Sequence, residues 1–182
     1  MSETVSQPNF TTEVLTRELA EHYVVELTEL ANQIPEVSYS SEDILAEQKG
    51  ERLMYGKWVH SLVVLDGGRP VAFVMGYERA KEGNDQYPDN TLYISELAVD
   101  KTHQRQGMAK GLLKAFFERN SSLGLQELDG NLNYSVQTNS ADWNNHVTDL
   151  YKSFGFKQRA FKTYPNRTDI VLGVTAFELQ LQ

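Results

Sequence analysis

The chain has 182 residues, 40% hydrophobic and 23% charged, with no cysteine and a formal net charge of −8. That length suits one domain spanning residues 1–182, with residues 1–10 read as a flexible tail, and the lack of cysteine excludes disulfides, thiolate metal ligands and an acyl-cysteine intermediate. The acidic balance argues against nucleic acid and anionic membranes as partners.

No apolar run approaches the roughly 18 residues of a membrane helix, and the polar start MSETVSQPNF has no secretory pattern, so the cytoplasm is the expected compartment. His22, His60, His103 and His146 are scattered without metal-ligand spacing, and no metal is expected. Thr12 to Ile34 places Val14, Leu15, Leu19, Tyr23, Val24, Leu27 and Leu30 at helical spacing, and Pro35 stops it. A second helix is expected from Ser41, with Glu42 and Asp43 where the helix dipole favours acids, continuing less regularly through Ile44, Leu45, Leu53 and Met54. Trp58 to Leu65 reads as a strand, Asp66-Gly67-Gly68 as a turn, and Pro70 to Tyr77 as the returning strand of a hairpin. KEGNDQYPDN, Lys81 to Asn90, is a polar loop carrying Glu82, Asp85 and Asp89. LYISELAV, Leu92 to Val99, is a buried strand. After QRQGMAKG, Gln104 to Gly111, the run GLLKAFFER sets Leu112, Leu113, Phe116 and Phe117 on one helix face. Leu132 to Val136 is a further strand, and Asp142 to Phe154 a helix that Gly155 terminates. Strands near Phe156 to Tyr164 and Thr175 to Leu181 complete a mixed α/β chain around one sheet.

QRQGMAKG is the bare stretch between strand and helix, and it fails two phosphate-binding patterns. A Walker loop needs four residues between its glycines, then Lys and Ser or Thr; Gly107 and Gly111 are separated by three, and Leu112 follows. A dinucleotide fingerprint needs glycine where Ala109 stands and a last glycine one place beyond Gly111. The physical logic of an anion site holds even so. Free N–H groups at a helix start carry partial positive charge, Gly107 and Ala109 keep side chains away, and Arg105 and Lys110 add formal charge. Gly111 is read as a close-packing residue. The plainer alternative is a glycine turn that lets a helix pack near a strand.

Strand LYISELAVD, a short polar link and Gln104-x-x-Gly107-x-Ala109 at a helix start resemble the pyrophosphate signature of the GNAT superfamily of acetyl-CoA-dependent N-acetyltransferases. Asn144-Asn145-His146-Val147-Thr148-Asp149-Leu150-Tyr151, followed by KSFGF, is similar to the second half of that pattern. The resemblance covers roughly Trp58 to Tyr164. The motif opens with Gln instead of Arg and closes with Ala instead of Gly. The link from Val136 to Asn144 is a few residues longer than the family pattern leads one to expect, which leaves Asn144 and Asn139 as alternatives for contacting the cofactor.

The resemblance implies a mostly antiparallel central sheet with splayed central strands and flanking helices. It implies acetyl transfer from acetyl-CoA to a primary amine by direct attack in a ternary complex. Carried over, Gln104, Arg105, Gln106, Gly107, Met108, Ala109 and Lys110 would hold the pyrophosphate, and the main chain of Leu97, Ala98 and Val99 the pantetheine arm and thioester. Glu96 would be the general base, directly or through water, and Tyr151 the general acid toward the leaving sulfur. Their plain readings are a strand glutamate paired with a neighbour and a core tyrosine beside Leu150. Acidic residues in the 81–90 loop and near Ser40 to Lys57 suggest a cationic acceptor amine, and homodimers are common among similar proteins. The rival reading is a non-catalytic acyl-CoA-binding sensor; nucleotide hydrolysis is disfavoured by the failed Walker spacing.

Overall fold

The structure, a computed structural model, describes residues 10–34, 37–50, 52–79, 91–122, 135–142 and 144–175. Phe10–Val14 forms strand β1, where helical spacing suggested a helix already under way. Thr11, Thr12 and Val14 are β-branched and favour the pleated backbone. The helix starts only when the Thr16 side chain accepts from the Leu19 N–H, giving α1 (Arg17–His22) and then α2 (Val24–Ala31). Ser40 and Asp43 close a capping box at the start of α3 (Ser41–Leu45). That helix ends after five residues, short of Leu53 and Met54. The chain instead makes the small ladder β2 (Gln48–Lys49) with β3 (Arg52–Leu53), turning at Gly50 with positive φ.

Trp58 to Leu65 also divides. Its first part belongs to the short helix α4 (Lys57–His60), and β4 runs Leu62–Asp66. β4 turns through Gly67 and Gly68 into β5 (Arg69–Arg79), as the sequence suggests. β6 is Thr91–Val99, followed by a 3-10 turn at Lys101–His103 and helix α5 (Met108–Ser122). The expected polar loop 81–90 lies outside the described residues. β7 runs Ser135–Ala141, and the expected strand start at Leu132 lies outside the described residues. α6 is Asn145–Lys152, with Gly155 beyond it at φ 80. β8 (Lys157–Tyr164) pairs with β9 (Arg167–Thr175), which lies earlier than the expected final strand at Thr175 to Leu181. Asp169 and Gly173 break the apolar pattern of β9, and this hid it. Residues 176–182 lie outside the described set.

The larger sheet has the order β1-β4-β5-β6-β7-β9-β8, antiparallel except between β6 and β7. α5 and α6 cover one face through Leu112, Leu113, Phe116 and Tyr151, packed with Val74, Ile94, Val136 and Leu172. α1, α2 and α3 cover the other through Ala20, Leu27 and Ile44, against Val63, Phe73 and Met75. Gly76 permits α5 to sit close, since a Cβ there would stand 2.6 Å from the Phe116 ring. Two irregularities then shape the site. Register shifts so that Met75 faces Glu96 while Gly76 faces Ile94, which leaves Ser95 as the extra residue of a bulge in β6. In addition, β6 and β7 pair only along Thr91–Ile94 against Ser135–Thr138, so β6 leaves its neighbour from Ser95 onward.

Candidate active site

A cavity of about 530 Å³ opens where β6 and β7 part. Ser95, Glu96 and Leu97 line it from β6, and Thr138, Asn139, Ser140 and Ala141 from β7. Asn144, Val147 and Tyr151 line it from α6 and its cap, and Tyr39, Asp43 and Lys49 from the segment around α3 and β2. The parting of the strands leaves backbone groups unclaimed by a ladder. Asp100 N–H donates to Val71 O at 2.8 Å, and Ala72 to Met75 pair with Val99 to Glu96. Alternation along an antiparallel pair therefore turns the N–H and C=O of Leu97 and Val99 toward the gap, and those of Ala98 toward β5. The Val99 carbonyl accepts from Gln104 Nε2 at 3.0 Å. The bulge falls at Ser95, just before the Leu97–Val99 run.

Glu96 takes a hydrogen bond from Tyr39 Oη at 3.1 Å on Oε1, and another from the Ser95 hydroxyl on Oε2. Burial pushes its carboxyl above the usual range, against the opposing pull of the Ser95 hydrogen bond and the Lys57 charge. Lys57 is itself buried, its ammonium donating to Ile44 O at 2.7 Å and Ala46 O at 2.6 Å. Desolvation lowers it to about 8. Tyr151 is 2% exposed, with its ring packed 5.2 Å from that of Phe156. Burial raises its phenol, more than the Thr138 hydroxyl lowers it. Such a phenol is protonated at neutral pH.

Beyond β6, the turn at Lys101–His103 delivers the chain to α5. Asp100 accepts from the Thr102 hydroxyl and, at 2.8 Å, from the Thr102 N–H there, and these bonds hold its carboxyl down at about 2. Arg105 at φ 61 and Gly107 at φ 79 are both left-handed, an alternation that gathers successive N–H groups into a concave nest. A Cβ on Gly107 would meet nothing within 4 Å, so the loop faces open space. The first helical bond of α5 runs from Gly111 N–H to Gly107 O at 2.9 Å. The N–H groups of Met108, Ala109 and Lys110 thus precede the ladder, at the positive end of a fifteen-residue helix. Gln104 and Gln106 spend their side chains bracing the loop, on Val99 O and Thr102 O. The close-packing reading of Gly111 is overturned: a Cβ there also meets nothing within 4 Å.

Of the residues singled out from sequence, Glu96, Leu97, Asn144 and Tyr151 line the cavity, whereas Ala98, Val99 and Gln104–Lys110 do not. Both asparagine alternatives line it too. Asn144 caps α6, accepting from Val147 N–H at 3.4 Å, while the buried Asn139 Oδ1 has no hydrogen-bond partner among the described residues. Sequence reasoning missed Tyr39, Ser95, Thr138, Lys162, Arg167 and Asp169. Only Ser95 carried a local signal, since Ser-Glu inside an apolar strand breaks the period of two that a regular ladder keeps. Among the described residues no cluster of three or more metal-ligating side chains is present, and no helix is long and apolar enough to cross a membrane.

A family model described as an acetyltransferase (GNAT) domain matches residues 57–158, more than half of the chain. The chain belongs to the GNAT acetyltransferase family. No curated protein sequence matches it. Solved structures place its fold with other GNAT enzymes at low identity. The ribosomal-protein-S18-alanine N-acetyltransferase of Escherichia coli aligns with TM-score 0.65 and 14% identity, over 92% of this chain and 94% of that one. NAA60 of Arabidopsis thaliana, solved with acetyl-CoA, gives 0.64 and 15% over 92% and 99%. The diaminobutyrate acetyltransferase EctA of Paenibacillus lautus, solved with L-2,4-diaminobutyric acid and coenzyme A, gives 0.62 and 13% over 92% and 96%.

Proposed function

We propose that this GNAT chain acts as one domain that moves an acetyl group from acetyl-CoA to a primary amine, with both substrates bound at once. The observation that carries the reading is the joint presence of Glu96 and Tyr151 in the cavity where β6 leaves β7. N-acetyltransferases among its structural neighbours support an amine as acceptor. The residues fit the donor: an open nest at a helix start for the pyrophosphate, and outward-facing main chain at Leu97 and Val99 for an amide-bearing arm. When bound, acetyl-CoA supplies a thioester whose carbonyl carbon gains the amine nitrogen and loses sulfur.

Glu96 takes the proton that an ammonium must lose before its nitrogen can attack, directly or through one water. Ser95 and Tyr39 hold the carboxylate in place while it does so. Tyr151 gives its phenolic proton to the departing sulfur; the ammonium nitrogen loses two protons per turnover, one to Glu96 and on to solvent before attack, and one, as the amide forms, that restores the Tyr151 phenol. Leu97 and Val99 orient the reacting carbonyl through backbone groups. Arg105, Gly107, Met108, Ala109 and Lys110 hold the diphosphate, with Gln104 and Gln106 as braces. Asn144 and Asn139 flank the arm. A passive acyl-CoA sensor would need neither Glu96 nor Tyr151 in that cavity. The test is a panel of primary amines read by thiol release from acetyl-CoA. Stoichiometric release with amide formation is expected; tight donor binding with no release from any amine would leave the sensor.

A further inference from the structure

The cavity carries a charge pattern opposite to that of the protein. With a net charge of −8 the chain repels anions on average, yet Lys49, Arg79, Lys162 and Arg167 all line this one cavity, against Asp43, Glu96 and Asp169. The carboxylates are already engaged. Asp43 Oδ2 accepts from Ser40 N–H at 2.8 Å and Ser40 Oγ at 2.9 Å. Glu96 is held by Tyr39 and Ser95. Asp169, 3% exposed, lies 3.1 Å from Arg167 Nε.

Lys162 is the cross-strand partner of Asp169, so both side chains leave the same face of the sheet. Lys162 and Arg167 each stand 5.3 Å from the centre of the Tyr164 ring. Among the described residues Lys162 and Arg167 thus leave the same sheet face as one buried carboxylate, which pairs with Arg167, and the positive charge of Lys162 borders the cavity on a patch only partly open to water, where screening is weak.

We propose that the acceptor amine carries an anionic group, a carboxylate or a phosphate, which Lys162 and Arg167 bind beside Tyr164 while the amine lies at Glu96. The inference rests on the acetyl-transfer reading and narrows its acceptor. It adds an anion to the expected cationic amine, an expectation that drew on Ser40 to Lys57 and on the 81–90 loop outside the described residues. Geometry also sets the spacing. β9 and β8 are two and three strands away from β6, roughly 10 and 14 Å between backbones. Even with long side chains reaching back, the anion and the amine must be several bonds apart. An amine on the carbon that bears the carboxylate is too close to its own anion to span the two positions.

The test compares acceptors of matched length in the thiol-release assay: ω-amino carboxylates from glycine upward, ω-aminoalkyl phosphates, the corresponding amino alcohols, and diamines. Longer anionic acceptors should exceed amino alcohols of equal length by about tenfold in kcat/KM, the scale of one charge-assisted contact, and glycine should gain nothing. The phosphate and carboxylate arms tell which anion is preferred. Lys162→Gln should bring the anionic acceptor down toward the alcohol, chiefly through KM. Arg167→Gln is tested together with Asp169→Asn, so that no carboxylate is left buried and unpaired, and should do the same. Diamines or alcohols that match or surpass the anionic acceptors would overturn the inference and leave acetyl transfer standing. Absence of release from every acceptor would fall on acetyl transfer. In that case calorimetry on the coenzyme A-saturated protein still decides: tighter binding of ω-amino carboxylates upholds the anion site, and equal or absent binding overturns it.

Discussion

Glu96 has two demands placed on one carboxyl. Burial favours its neutral form and raises its pKa, but a base works only when ionised. kcat/KM should therefore climb with pH through that raised value, and Glu96→Gln should flatten the acid-side limb of the profile. Stability runs the other way. A carboxyl with a folded pKa above its unfolded 4.5 binds more protons folded than unfolded within that window, so stability falls as pH rises through it. Urea unfolding at neutral pH should then find Glu96→Gln at least as stable as the parent, although far less active. Tyr151→Phe separates differently: kcat should fall roughly 10²-fold while acetyl-CoA affinity, read by calorimetry, holds. An unchanged kcat would return Tyr151 to a packing role beside Phe156. Glu96 and Tyr151 were legible because each belongs to a run of residues with a recognisable order. Tyr39 was not, because it sits in an irregular segment after Pro35 and meets Glu96 across 57 positions of sequence.

Helix α3 shows what periodicity misses among elements. Its five residues are bounded in front by a capping box, which the sequence displays, and behind by Lys57, which it does not. The Lys57 ammonium takes carbonyls at the end of α3, where a cation suits the helix dipole. Its pKa of about 8 implies that, between about 8 and the ordinary 10.5, the unfolded chain binds more protons, so stability should rise with pH across that range. Lys57→Met should remove the slope and cost about 1–3 kcal/mol, the penalty for stranding buried carbonyls; urea unfolding across that range measures both. The same lesson covers β1 and β9. Val14 and Leu15 fit a helical stripe as well as a strand end, and only pairing with β4 decides. Gly173 in β9 has the Arg159 and Gln137 side chains over its bare face, a long-range fit that leaves no pattern in the residues beside it.

For the molecule as a whole, the proposed donor site is a local exception in an acidic chain, built from main chain and two cations, Arg105 and Lys110, at the mouth of α5. Coenzyme A at a hundred times its dissociation constant should stabilise the fold by about 2.7 kcal/mol. Gly107→Glu should abolish that shift, because it puts a negative side chain into open space before the nest; a retained thermal shift would refute the cradle. Fold class, the β4–β5 hairpin and the order of the last helices followed from sequence, whereas the sheet order depends on pairings such as β7 with β9 that no local run specifies. That order has a mechanical reading. β1, β4, β5 and β6 form one antiparallel half and β7, β9 and β8 another. Among the described residues their backbones are sewn together only along Thr91–Ile94 and Ser135–Thr138. A donor lodged past the end of that seam would act as a second stitch, so amide exchange at Val136 to Thr138 should slow when coenzyme A binds, though the ligand lies beyond those residues.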